Sequence, residues 1–230
     1  MTRELTPGAR FSFLSRFRVE SVRRHFDPAS VRAQWSDFSV QDDGIHPTLK
    51  KIADRIRQKH PPAFAVLEFC SWIDRNLTYD ASVSYDDDDV KSILKYKKGH
   101  CGHYLTIFAA LCAAAGIPER SVLGLNLYSP DGRTGGLQDV RPDFTNIHVW
   151  AEVEFPGTGW VEVEPAGGDD AYEIPACFIQ NNRWFQNYDV WFEENGEWKQ
   201  PDWQWTANHW VSPFQLEHII TYSAKPLPEK

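Results

Sequence analysis

The sequence predicts an α+β fold in which helices pack on an antiparallel sheet, and three observations carry that expectation. Apolar residues recur at helical spacing in two successive runs between Pro62 and Ala115. The segment NIHVWAEVEF alternates between apolar and polar side chains, as a strand with one buried face does. A Pro-Gly-Thr-Gly turn leads from it into a second alternating run, WVEVEP, so the two make a hairpin.

Along the chain, residues 1–46 interleave charges with isolated aromatics, and only Asp27-Pro28 stands out, as a turn or a helix start. Leu49, Ile52 and Ile56 fall at i, i+3, i+7 among Lys and Arg and predict a short amphipathic helix between Pro47 and Pro61 with a solvated basic face. Val66, Cys70, Ile73 and Leu77 give the next helix one apolar face. The stretch DASVSYDDDDV then reads as a solvated loop. Its acids at 86–89 lack the spaced glycine of a calcium loop. Cys101, Leu105, Phe108, Cys112 and Ala115 form the stripe of a further helix that opens at Cys101 and stops at Gly116-Ile117-Pro118. SVLGLNLY reads as a strand, and residues 129–145 as a loop long enough for a lid or substrate rim. In the tail, Asn195-Gly196 between VWFEE and EWKQ signals a hairpin. Six of the ten tryptophans lie from Trp184 to Trp210, a density that fits core packing better than a groove lining.

With 230 residues, 42% of them hydrophobic, the chain can bury one sizeable core, and no repeat or linker divides it. A net charge of -8 argues against a surface that neutralises phosphates, so nucleic acid is not an expected partner. No run of eighteen apolar residues exists, and MTRELTPGARFSFLSRF lacks the apolar stretch of a secretion signal. The expectation is a cytoplasmic protein without membrane association.

The four cysteines, at 70, 101, 112 and 177, form no C-x-x-C pair and suggest neither a zinc site nor a disulfide framework. Cys70, Cys112 and Cys177 have the apolar neighbours of packed thiols. Cys101, in KKGHCGHY, differs. A helix N-terminus and nearby imidazoles favour the thiolate, which is the reactive form, and His100 and His103 flank it. Its glycine neighbours let backbone approach a substrate, and it is the one thiol expected to be exposed for work. Taken alone, the same features also fit a thiol that packs beneath its own helix.

On the first hairpin strand Ile147, Val149, Ala151, Val153 and Phe155 share the apolar face, leaving His148, Trp150, Glu152 and Glu154 on the other. On the second, Val161 and Val163 are apolar while Trp160, Glu162 and Glu164 take the opposite phase. His148 thus faces away from the main core with acids on its side. That is the material for a nucleophile, base and orienting acid. A three-residue loop at 157–159 sets Glu164 opposite Glu152, however, roughly 13 Å from His148 at about 3.3 Å per residue, so the pairing must slip or bulge for contact.

GHCGHY followed by a small-residue helix and AAGIPER, then HVWAEV, then GWVEVEP, resembles the transglutaminase-like core, with its three blocks in the family's order. RNLTYD upstream adds to the likeness, which covers about residues 60–168. Within a single domain of 1–230, this leaves an N-terminal extension (1–59) and a Trp-rich, β-rich C-terminal extension (169–230). The resemblance implies a papain-like arrangement in which Cys101 is the nucleophile, His148 the base, and Glu164 stands where the family's acid is usually Asp. It further implies a thioester formed on a peptide, protein or small amide substrate, without a cofactor, and resolved by water or an amine. A catalytically silent binding module is the alternative. The Cys101 amide is the natural first donor to an oxyanion, and Asn76, Trp72 and Tyr79 are candidates for the second.

Overall fold

The computed structural model describes residues 22–40, 44–83, 88–126, 136–140, 147–176 and 178–180, and the backbone of five short strands beyond them. The chain opens with β1 (Arg24–His25), after which Asp27 accepts from the Ala29 amide and caps a 3₁₀ turn at Pro28–Ser30. This is the helix start that Asp27-Pro28 predicts. Helix α1 (Pro47–Arg57) buries Leu49, Ala53 and Ile56, and α2 (Pro62–Asn76) buries Val66, Phe69, Cys70 and Ile73. Both begin with a proline, whose missing N–H has no helical acceptor to lose at that position.

The acidic stretch is not a plain loop to its end. After β2 (Thr78–Tyr79), Asp89 accepts from the amides of Lys91 and Ser92 and caps a short helix, α3 (Val90–Tyr96). Seven residues carry too little periodicity to betray a helix, and Asp is as good a cap as it is a loop residue. β3 (Lys98–Gly99) pairs parallel with β2 and feeds directly into α4 (Cys101–Ala115).

The remaining strands are β4 (Glu119–Asn126), β5 (Gly136–Val140), β6 (Ile147–Phe155), β7 (Gly159–Val163), β8 (Glu173–Ile174) and β9 (Phe178–Gln180). β7, β6, β4 and β9 form one antiparallel sheet in that order. β5, inside the stretch expected to be a loop, pairs with Ile220–Ala224 instead; the rest of that stretch lies outside the described residues. The tail hairpin is present, with Phe192–Glu194 antiparallel to Glu197–Lys199 and Glu194 opposite Glu197. Cys177 and the side chains of the tail tryptophans lie outside the described residues.

The main core lies between the helices and one face of the sheet, where Phe69, Ile107, Phe108, Leu111, Ala151, Val153, Phe155 and Val163 are fully buried. Each of the larger ones contributes roughly 1.5–3 kcal/mol of burial. The sheet's other face is not the solvated one the alternation suggests: Val122, Trp150, Ile174 and Phe178 make a second small core there. No helix among the described residues is long and apolar enough to cross a membrane.

Gly116 ends α4 at φ 78°, and a Cβ there would sit 2.8 Å from the Ser39 carbonyl oxygen of the N-terminal segment. Gly116→Ala combines left-handed strain with that clash and should cost about 2–4 kcal/mol. A shift of the denaturant midpoint with an unchanged slope is the expected result.

Candidate active site

Cys101 is the first residue of α4, so its amide belongs to the opening turn and has no helical acceptor. His100 caps the helix, its Nδ1 accepting from the Gly102 amide at 3.0 Å, while His103 Nδ1 accepts from the His100 amide at 3.2 Å. The two rings meet edge to face at 4.1 Å. Gly99 is small for the sake of this cap: a Cβ on it would lie 2.4 Å from that of His103. Room for His103, more than approach of a substrate, explains this glycine.

Cys101 is not openly exposed as expected. It retains 8% accessibility, against none for Cys70 and Cys112. The chemistry separates them further. Burial pushes the thiols of Cys70 and Cys112 well up, so they remain protonated. Burial raises Cys101 as well, but hydrogen bonds with His100 and His148, the positive charge of His148 and the Val149 amide outweigh it and bring the thiol down to about 6. For His148, burial opposes the charged ring. Hydrogen bonds to Cys101 and Glu164, with the negative charge of both, prevail and raise it to about 9. Between those values the pair stands as thiolate and imidazolium.

The register of β6 and β7 explains how the acid arrives. Phe155 pairs with Gly159 and Glu152 with Glu162, so the turn is Pro156-Gly157-Thr158, and Glu164 comes level with Trp150 instead of Glu152. That halves the expected separation along the strand. At Val163 the ladder ends, and Glu164 turns off as cap of the 3₁₀ segment Pro165–Asp170. Its Oε1 accepts from the Ala166 amide at 2.9 Å and its Oε2 lies 2.5 Å from His148 Nε2. Nε2 is thereby committed to the carboxylate, which leaves Nδ1 as the ring nitrogen for the thiol.

Of the three candidate oxyanion donors, Tyr79 is the one seen in contact with Cys101. β2 sets Tyr79 beside Gly99, two residues before the cysteine, and its ring rests 5.6 Å from that of Tyr104. Burial, then the charge of Cys101, raises the phenol to about 12, and its oxygen hydrogen-bonds with both the backbone and the side chain of Cys101. It therefore stays a protonated donor at neutral pH. Asn76 turns back on its own helix, its Nδ2 donating to the Trp72 carbonyl at 2.7 Å. Trp72 lines a cavity with Ile52, Arg55 and Lys59 of the α1 region. Nothing in the sequence separates these three, because only the β2–β3 pairing decides between them.

Residues 50–165 match the transglutaminase-like superfamily. The chain belongs to that superfamily. Cys101, His148 and Glu164 all lie within the matched transglutaminase-like region. The chain is 28% identical over 182 residues to protein YebA of Bacillus subtilis (strain 168), a match covering 72% of this chain and 24% of that protein. It is 26% identical over 160 residues to a protein-glutamine gamma-glutamyltransferase of Pseudomonas aeruginosa, covering 65% and 23%. This chain thus spans about a quarter of the length of these two relatives. Among solved structures, the periplasmic domain of TgpA from Pseudomonas aeruginosa is similar at TM-score 0.40 and 24% identity, over 62% of this chain and 49% of that one. Among the described residues, no group of three His, Cys, Asp or Glu is placed to hold a metal ion.

Iodoacetamide labelling of Cys101 should rise with pH around a midpoint near 6, with Cys70 and Cys112 silent. Glu164→Gln removes the charge that favours the imidazolium, so the His148 value falls and the midpoint for Cys101 should climb by about one unit. Mass spectrometry of labelling against pH reads both.

Proposed function

We propose that this chain is a cysteine acyl-transfer enzyme: Cys101 takes an acyl group from an amide as a thioester, which an amine or water then resolves. The observation that carries the reading is the continuous chain of hydrogen bonds from the Cys101 thiol through His148 to Glu164. A thiolate beside an imidazolium is nucleophile and general acid already in place.

The Cys101 sulfur attacks the amide carbonyl carbon, and the carbonyl oxygen gains the negative charge. The Cys101 amide, which donates to the Tyr79 oxygen at rest, and the Tyr79 hydroxyl, which donates to the sulfur, are the donors beside the reacting thiol and turn to receive that oxyanion. As the carbon–nitrogen bond breaks, His148 gives its proton to the leaving ammonia or amine. The neutral imidazole then removes a proton from the incoming amine or water, which attacks the thioester. Expulsion of the thiolate restores the ion pair. Glu164 keeps Nε2 occupied and steadies the imidazolium throughout, without itself taking the proton.

The gamma-glutamyltransferase name of the Pseudomonas relative makes the side-chain amide of glutamine the first donor to try. Incubation of a glutamine peptide with and without a labelled primary amine separates the outcomes: label in the peptide is transfer, and conversion to glutamate in either mixture is hydrolysis. No ammonia released from glutamine and no cleavage of backbone amides, together with equal alkylation of all thiols, supports the silent binding module instead. Tyr79→Phe, which keeps the ring and loses the donor, should lower kcat by about 10–100-fold with little change in KM. Turnover should be bell-shaped in pH, with limbs near 6 and 9 that belong to the Cys101–His148 pair jointly.

A further inference from the structure

We propose that Arg24, on a strand that precedes the superfamily match, is a positioning residue for His148, acting through Glu162 and Trp150. The inference rests on the reading of His148 as the base.

Glu164 and the Cys101 thiol engage the two nitrogens of the His148 ring, but a ring held along that line can still tilt about it. Its flanks are held by two aromatics: Trp150 lies stacked at 5.9 Å and 21°, and Phe178 lies tilted at 4.5 Å. Trp150 is wholly buried in the second small core, so its indole N–H needs an internal acceptor. Glu162 Oε1 is that acceptor, at 3.1 Å.

Glu162 is itself poorly placed. It sits opposite Glu152 in the β6–β7 ladder, and two carboxylates directly across a strand pair repel. Each needs its own cation. Arg120 Nε holds Glu152 at 2.5 Å, from β4 within the same sheet. For Glu162 the cation comes from outside the matched region: Arg24 grips both oxygens, Nε to Oε2 at 2.5 Å and Nη2 to Oε1 at 3.1 Å. The same Nη2 donates to the Phe178 carbonyl at 3.4 Å, so one guanidinium ties down the supports of both flanks of the histidine ring. β1 delivers it by pairing with β8, Arg24 opposite Ile174.

Without Arg24, Glu162 has a reason to leave: water solvates it better than a position facing Glu152 does. Trp150 then loses its acceptor in a dry environment, and its ring no longer has one fixed orientation for His148 to stack on. A lysine presents one point charge where the guanidinium presents a planar fork, so it recovers the charge without the two-pronged grip.

The test uses the full chain and two readouts that do not need a known substrate: the titration of the His148 ring by NMR, and the rate of Cys101 alkylation at pH 7. Arg24→Ala should move the His148 midpoint down toward the ordinary imidazole range and slow alkylation by about fivefold to tenfold, with Arg24→Lys between it and the parent. Trp150→Phe keeps an aromatic ring and lacks the N–H, and should give a similar loss. In the double variant the loss should be no greater than in the worse single variant, because both cut one relay. Losses that multiply, or an Arg24→Ala protein whose histidine titrates as in the parent, overturn the proposal. If Arg24→Ala does not fold, Arg24→Lys alone and with Trp150→Phe carries the same comparison. A parent protein whose His148 already titrates as an ordinary imidazole sinks the reading of the site and this inference with it. A normal parent with unaffected variants sinks the relay alone.

Discussion

Glu164 stands where a strand gives way to a 3₁₀ turn, and its two oxygens answer to different structures. One accepts from the Ala166 amide and fixes the direction in which the chain leaves the sheet; the other meets His148. The acid that orients the imidazole is therefore also the cap of the segment that follows β7. That segment is fastened to α2 by the hydrogen bond from Ser71 to Asp169, and just beyond it the Tyr172 hydroxyl donates to the Ala63 carbonyl. The carboxylate owes its position to backbone on both sides of it, which leaves it little freedom to follow the ring.

That rigidity matters because the charges are nearly dry. His148 and Glu164 keep about a tenth of their side-chain surface, and removing an ion from water costs several kcal/mol even after the protein relaxes. Such a cost is met only where each charge is surrounded by donors or acceptors of the right sign. The thiolate has His100, His148 and the Val149 amide; the imidazolium has the thiolate and Glu164. Burial alone would leave a neutral thiol beside a neutral imidazole, as it leaves Cys70 and Cys112 protonated. Three thiols of similar burial thus divide by their polar neighbours.

How much of this the sequence reveals depends on how local the cause is. Cys101 at a helix start follows from the stripe down to Ala115 and the Gly116 stop, both contained in a few turns. The phase of His148, Glu162 and Glu164 follows from strict alternation. The register does not, because a turn of Pro156-Gly157-Thr158 and one of Gly157-Thr158-Gly159 are equally good glycine turns, and the choice moves Glu164 by two positions. The second small core is hidden for a different reason: Trp150 and Phe178 are far apart in sequence, and an alternating strand reads the same whether its polar side meets water or another layer. Arg24 is the extreme case. Nothing near it in the chain distinguishes it from Arg23, whose ion pair with Glu173 is exposed.

The Glu at 164, where the superfamily usually has Asp, fits the same geometry. The residue leaves the ladder level with Trp150, so His148 is its diagonal neighbour and not its direct one, at a distance that long side chains span more easily than short ones. An aspartate at the same backbone position would be shorter by one carbon–carbon bond, about 1.5 Å. It could still cap Ala166, since Asp is a favoured cap, but its second oxygen would fall short of Nε2 unless the turn moved toward the strand. The additional methylene lets one carboxylate serve both contacts without that movement. The glutamate is therefore matched to the place where β7 leaves this sheet, and what it preserves is the distance from oxygen to imidazole.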